Sequence, residues 1–140
     1  IRQPKNIGIY DNVNVGIAAA KGDFIATYHA DDIYLPTMVA EQVAYLQSHP
    51  EVGAVFASDI LVDAEGREYG RIVLPKEVRG EGPLPYPVVL NTLLSYKNNF
   101  LVCPTAMVRA CVHRGELGLI DHGQVRRAVE VLMNAIRHDG

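Results

Sequence analysis

Asp31 and Asp32 stand side by side just after an apolar run, Phe24-Ile25-Ala26-Thr27-Tyr28, with His29 two positions before Asp31. Adjacent carboxylates supply hard oxygen ligands. These suit Mg²⁺ or Mn²⁺, ions that take one or two protein carboxylates and complete their shell with water and substrate phosphate. An apolar run with aromatic residues at its ends reads as a buried strand. In open α/β sheets, ligands collect beyond the carboxyl ends of the strands. A strand that stops at Asp-Asp therefore sets negative charge where such a fold keeps its site. The plainer reading is a strand end that also caps the next helix, as many chance acidic pairs do. The flanking segments decide between the two.

Upstream lie Asn6-Ile7-Gly8, then Asn14-Val15-Gly16-Ile17, three alanines at 18–20, and Gly22-Asp23. Asn12 or Asn14 is suited to cap a helix, because an amide oxygen satisfies free backbone N–H groups there. That helix would run through Ile17 to Ala20 and stop at Gly22. Downstream, Pro36 fits the first turn of a helix, where a missing N–H costs nothing. Leu35, Val39, Val43 and Leu46 recur at i, i+4, i+8 and i+11, a stripe expected to face the sheet. The helix ends at His49-Pro50, since a residue before proline avoids helical geometry, and His49 reads as a turn histidine.

Val52 to Ala57 reads as the next buried strand, and residues 58–63 continue extended. Gly66 sits where a reversal wants glycine, so Glu68 to Leu74 returns as a hairpin strand. This order implies an α/β sheet with a mixed edge. Pro75 to Pro87 holds four prolines and forms a loop long enough to be functional. A helix follows from Pro87 to Tyr96, with Val89, Leu93 and Tyr96 on one face. Leu101 to Arg109 is apolar again. Farther on, Val125, Val129, Leu132 and Ile136 predict an amphipathic helix. Asp121 precedes that helix and reads as its cap, the alternative being an acid–base pair of Asp121 and His122.

The 140 residues are the size of one ordinary domain. With 49% hydrophobic and 21% charged residues the composition is that of a globular chain, not a disordered one. Basic residues are scattered and the formal net charge is -3, which argues against a nucleic-acid partner. Cys103 and Cys111 lack the CxxC spacing of zinc sites. They read as small core residues, with no paired histidine to activate Cys103, in a reducing, cytoplasmic compartment. No apolar run is long enough to span a bilayer, which leaves membrane association to segments outside this chain.

Taken in order, Asn-x-Gly, Asn-x-Gly-Ile, a small-residue helix, Gly-Asp, a strand, an acidic cluster, Pro, a helix and His-Pro resemble the family 2 glycosyltransferases of the GT-A fold. The resemblance is specific through Val55 and looser to about Arg109. It implies a Rossmann-like, three-layer α/β/α nucleotide-diphospho-sugar transferase fold, present in part. Residues 1–111 would be the partial GT-A domain and 112–140 a divergent segment. It also implies transfer of a sugar from a nucleotide-diphosphate sugar to a hydroxyl of an acceptor, whether glycan, lipid or protein. The region of the Pro75–Pro87 loop lies near the acceptor in that family.

In that family an Asp-x-Asp motif closes the strand and holds a divalent cation on the donor diphosphate. Here the motif reads His29-Ala30-Asp31, so Asp31 keeps the metal position and His29 replaces the first aspartate. The resemblance implies donor contacts from Asn14, Gly16, His29 and Asp32. Val13 stands where the family often carries arginine. The family's first strand, which holds the nucleotide base, has no counterpart before Asn6. Its late acidic general base has none after Arg109, which leaves the catalytic residue unassigned. The expectation is an N-terminally truncated GT-A domain, inactive by itself. Two alternatives stand beside it: a non-catalytic binding module or remnant of the same fold, and an unrelated metal-dependent α/β phosphoryl-transfer enzyme without a GxxxxGK[ST] loop.

Overall fold

Glycine at a positive φ sets where the first helix begins. The computed structural model describes residues 1–80, 82–96, 99–113 and the backbone of 129–131. Gly8 has φ 86°, and its N–H donates to Asn6 Oδ1 at 2.9 Å. Gly8 is the N-cap, and α1 runs from Ile9 to Ala19. Asn12 and Asn14 therefore lie inside the helix instead of capping it, and Gly22 lies beyond its end. The Ala20 N–H closes the helix on the Gly16 and Ile17 carbonyls. No residue of α1 is buried.

β1 (Phe24–Ala26) is followed by α2 (Met38–Ser48), β2 (Ala54–Phe56), and the hairpin strands β3 (Ile60–Val62) and β4 (Glu68–Arg71). A 3₁₀ turn at Lys76–Val78 breaks the proline-rich loop before α3 (Tyr86–Tyr96). A second 3₁₀ turn at Cys103–Thr105 leads into β5 (Met107–Arg109), α4 (Ala110–His113) and later β6 (Val129–Val131).

The main sheet has the order β1-β5-β2-β6. β5 is antiparallel to both its neighbours, with Val108 opposite Ile25 on one side and Ala54 on the other. β6 runs parallel to β2, with Glu130 opposite Val55. The mixed pairing expected at an edge thus lies in the middle, because the late apolar segment inserts between two earlier strands. The hairpin forms a separate two-stranded sheet with Leu61 opposite Gly70. Its turn is built by Asp63, whose Oδ1 accepts the N–H groups of Glu65 at 3.0 Å and Arg67 at 2.9 Å. These donors, the Arg67 N–H foremost, hold the Asp63 carboxyl below the usual carboxylate range. Gly66 completes the reversal at φ 79°.

Two apolar clusters hold these elements. Leu46, Val52, Val55 and Met107 join α2 to the sheet, with Phe24, Val43 and Tyr45 packed on them. Leu74, Val78, Val89 and Phe100 join the proline-rich loop to α3.

The expected α2 stripe is half right. Leu46 is fully buried and Val43 packs on the first cluster, but Leu35 is 50% and Val39 48% exposed. Leu35 precedes the helix, and the inward place beside Val43 is taken by Gln42, whose amide has partners there. Val43→Asp is expected to cost about 2 kcal/mol, because the charge is set against an apolar cluster from which it can only partly escape. An unchanged melting temperature would place this face outside the core.

α3 turns Val89 and Thr92 inward, whereas Tyr96 is 49% exposed. Cys103 is exposed and Cys111 half-buried, both as free thiols, so the expected core role fails for Cys103. It opens a 3₁₀ turn whose flanking Val102 and whose Thr105 point inward instead. In the C-terminal segment, residues 129–131 are strand and not the expected helix. β2 offers an open edge there, and the β-branched Val129 and Val131 suit it. Asp121, His122, Val125, Leu132 and Ile136 lie outside the described residues.

Candidate active site

β1 and β2 both run antiparallel to β5, so they run parallel to each other and their carboxyl ends share one side of the sheet. After β1, the Thr27 N–H still bonds the Ala106 carbonyl at 3.2 Å. The chain then leaves the sheet as a loop carrying His29, Asp31 and Asp32, all three exposed. Their ligand atoms lie within 4.8 Å of one another. His29 Nδ1 is 3.9 Å from Asp32 Oδ2, with the two side chains 50% and 43% exposed. An octahedral Mg²⁺ or Mn²⁺ with ligands at about 2.1 Å needs neighbouring donor atoms roughly 3 Å apart. Small rotations of exposed side chains bridge that difference, so the residues fit such an ion. The imidazole adds a softer donor, which tilts the set toward a transition ion such as Mn²⁺.

The loop is not held by its three polar residues alone. The Tyr34 hydroxyl accepts the His29 N–H at 2.7 Å and donates to Asp32 Oδ2 at 3.1 Å. Partial burial first, then the Asp32 hydrogen bond and the charges of Asp32 and Asp31, hold the Tyr34 phenol above its usual pKa. The His29 N–H pulls the other way. The Tyr34 ring packs on Tyr28 with centroids 4.6 Å apart. Burial, with Tyr34 adding to it, likewise raises the Tyr28 phenol.

The Tyr28 hydroxyl donates to Gln42 Oε1 at 3.1 Å, and Gln42 Nε2 donates to the Thr105 carbonyl at 2.7 Å. Thr105 Oγ1 in turn accepts the Ala57 N–H at 2.9 Å. A continuous path of contacts thus runs from the acidic loop through α2 to the turn before β5 and the end of β2.

The structure brings His29, Asp31 and Asp32 together. It does not join Asn14 or Gly16 to them by any hydrogen bond among the described residues. Asn14 is exposed on α1, and a Cβ added at Gly16 would meet nothing within 4 Å. Sequence reasoning missed Tyr34, Tyr28, Gln42 and Thr105. A glutamine on the apolar stripe of α2 was the available signal for one of them. Asp59 lies beyond the end of β2. One of its carboxylate oxygens is buried without a hydrogen-bond partner among the described residues.

A separate concavity of about 730 Å³ lies where β4, the proline-rich loop and α3 meet, lined by Arg71, Leu74, Lys76, Arg79, Tyr96 and Phe100 among others. Among the described residues no helix is long and apolar enough to cross a membrane.

Comparison with known proteins bears on the whole arrangement. The model of the family "Glycosyl transferase family 2" matches residues 1–114. An amylovoran biosynthesis glycosyltransferase of Erwinia amylovora is 36% identical over 64 residues, 46% of this chain and 24% of that protein. An uncharacterized glycosyltransferase of Methanocaldococcus jannaschii is 26% identical over 110 residues, 79% of this chain and 35% of that protein. An uncharacterized protein of Mycobacterium tuberculosis is 35% identical over 57 residues, 40% of this chain and 16% of that protein. The chain therefore spans about a third or less of the length of the curated relatives it matches. No solved structure matches it.

Proposed function

The chain belongs to glycosyl transferase family 2, a glycosyltransferase-like domain of the GT-A fold, and on that premise we propose that it carries part of a nucleotide-sugar donor site. The observation that carries the reading is the convergence of His29, Asp31 and Asp32 within 4.8 Å at the carboxyl end of β1. Asp31 is the principal ligand of a divalent cation, Mn²⁺ or Mg²⁺, with Asp32 and His29 beside it. When bound, such an ion neutralises charge that develops on a leaving diphosphate.

The remaining roles fall to the chain itself. Asp32 and His29 contact the donor near that diphosphate. Asn14 and Gly16 are offered as donor contacts on the strength of the family pattern, since both are solvent-accessible. The acceptor is a hydroxyl of a glycan, lipid or protein that approaches past the Pro75–Pro87 loop. Free thiols at Cys103 and Cys111 fit a reducing, cytoplasmic setting.

Titration with Mn²⁺ in the presence of UDP, followed by electron paramagnetic resonance of the free ion, tests the assignment. Asp31→Asn removes the anionic ligand at nearly constant shape and is expected to weaken Mn²⁺ binding at least tenfold. Equal affinities in variant and wild type would sink it.

A further inference from the structure

Tyr34 lies two residues beyond the acidic pair, and its hydroxyl reaches back across the loop. It accepts the His29 N–H at 2.7 Å and donates to Asp32 Oδ2 at 3.1 Å. One hydroxyl therefore spans the first and last of the three candidate ligands. Its ring rests on Tyr28, which is tied through buried Gln42 to the Thr105 carbonyl. The candidate ligands themselves are exposed and have no comparable anchor among the described residues.

We infer that Tyr34 is a positioning residue for the divalent-cation site: it engages one oxygen of Asp32, keeps that carboxylate turned toward His29, and leaves Asp31 as the direct carboxylate ligand. This rests on the cation reading above and assigns a division of labour within it. The hydrogen bond to Asp32 Oδ2 fixes the orientation of that carboxylate, while Oδ1 has no hydrogen bond among the described residues. No hydrogen bond to Asp31 is present among the described side chains, and its carboxylate is the less committed of the two. Hydrogen-bond partners that orient ligating side chains typically matter 10–100-fold in metal affinity, because a floppy ligand set must be ordered on binding.

The test uses the whole chain and Mn²⁺ alone as the probe. Wild type, Tyr34→Phe and Asp31→Asn are titrated by electron paramagnetic resonance, and the His29 backbone amide is followed by NMR. Tyr34→Phe keeps the ring and its packing on Tyr28, so its melting temperature is expected to match wild type within a few degrees. Its Mn²⁺ affinity is expected to fall roughly tenfold, with an upfield shift of the His29 amide proton as its acceptor disappears. Should the variant melt lower, the titration is run below its transition, where the same loss is required.

Wild-type affinity in Tyr34→Phe, alongside weakened binding in Asp31→Asn, would overturn the positioning role and leave the cation reading standing. Unweakened binding in Asp31→Asn would overturn the cation reading, and the positioning role with it.

Discussion

Arg109→Met is expected to lower the stability of the fold by about 3 kcal/mol, a large fraction of the ~5–15 kcal/mol typical of a domain. The half-buried guanidinium donates to three backbone carbonyls: Val52 at 2.6 Å, His49 at 2.9 Å, and Leu46. Leu46 is among the last four residues of α2 and His49 is its C-cap. Carbonyls at a helix end lack partners within the helix and carry its negative pole, so a cation there satisfies both needs. The same group lies 5.3 Å from the centre of the Phe24 ring, close enough for attraction to the ring face.

Hydrogen bonds from a charged donor contribute roughly 1.5–3 kcal/mol each, but they are not additive and water recovers part of the loss. Methionine fills most of the volume, so the measured difference reports the polar contacts. Urea unfolding of the two proteins is the measurement. A loss under about 1 kcal/mol would show that these carbonyls are as well served by water.

Gln42→Leu should be the next most damaging change, at about 2–3 kcal/mol. Leucine matches the glutamine in size but leaves the Thr105 carbonyl and the Tyr28 hydroxyl without the partners they have now. Each abandoned buried group costs about 1–3 kcal/mol, less where solvent can reach it. Thr105 is buried and pays nearly in full, whereas Tyr28 is half-buried and pays less. The effect is expected to travel: with Tyr28 released, its packing against Tyr34 loosens, and Mn²⁺ affinity should fall several-fold in a variant that is still folded. Wild-type stability in Gln42→Leu would mean that the amide is replaceable by packing alone. Lost stability with unchanged Mn²⁺ affinity would uncouple the core from the loop.

Both residues mark the boundary of what the sequence made legible. Asp31 and Asp32 at the end of an apolar run were readable, because a strand and the residues just after it are local. The hairpin about Gly66 was readable for the same reason. α1 began earlier than expected because its start depends on the positive φ of Gly8 and the Asn6 side chain, while Asn12 and Asn14 only looked like caps. Gln42 broke the apolar stripe of α2, and a pattern of hydrophobic spacing has no place for a buried amide whose partners are on other segments. Arg109 pairs with residues about half the chain away, and nothing in its neighbourhood signals that. The central position of β5 is of the same kind, since strand order is a property of the assembled sheet.

That central position also governs how the protein comes together. β1 and β2 each pair with β5 rather than with each other. Neither can complete its ladder until a segment made much later arrives between them. Contacts so distant in sequence slow the search for the native state, because loop closure must precede any reward. On the ribosome, the edges of β1 and β2 that face β5 wait unpaired until Met107–Arg109 has left the exit tunnel, and the other edge of β2 waits for Val129–Val131; exposed edges of that kind invite association with other chains. A nascent chain halted before Met107 should consequently engage chaperones, and one released after Val131, when both ladders of β2 can form, should not.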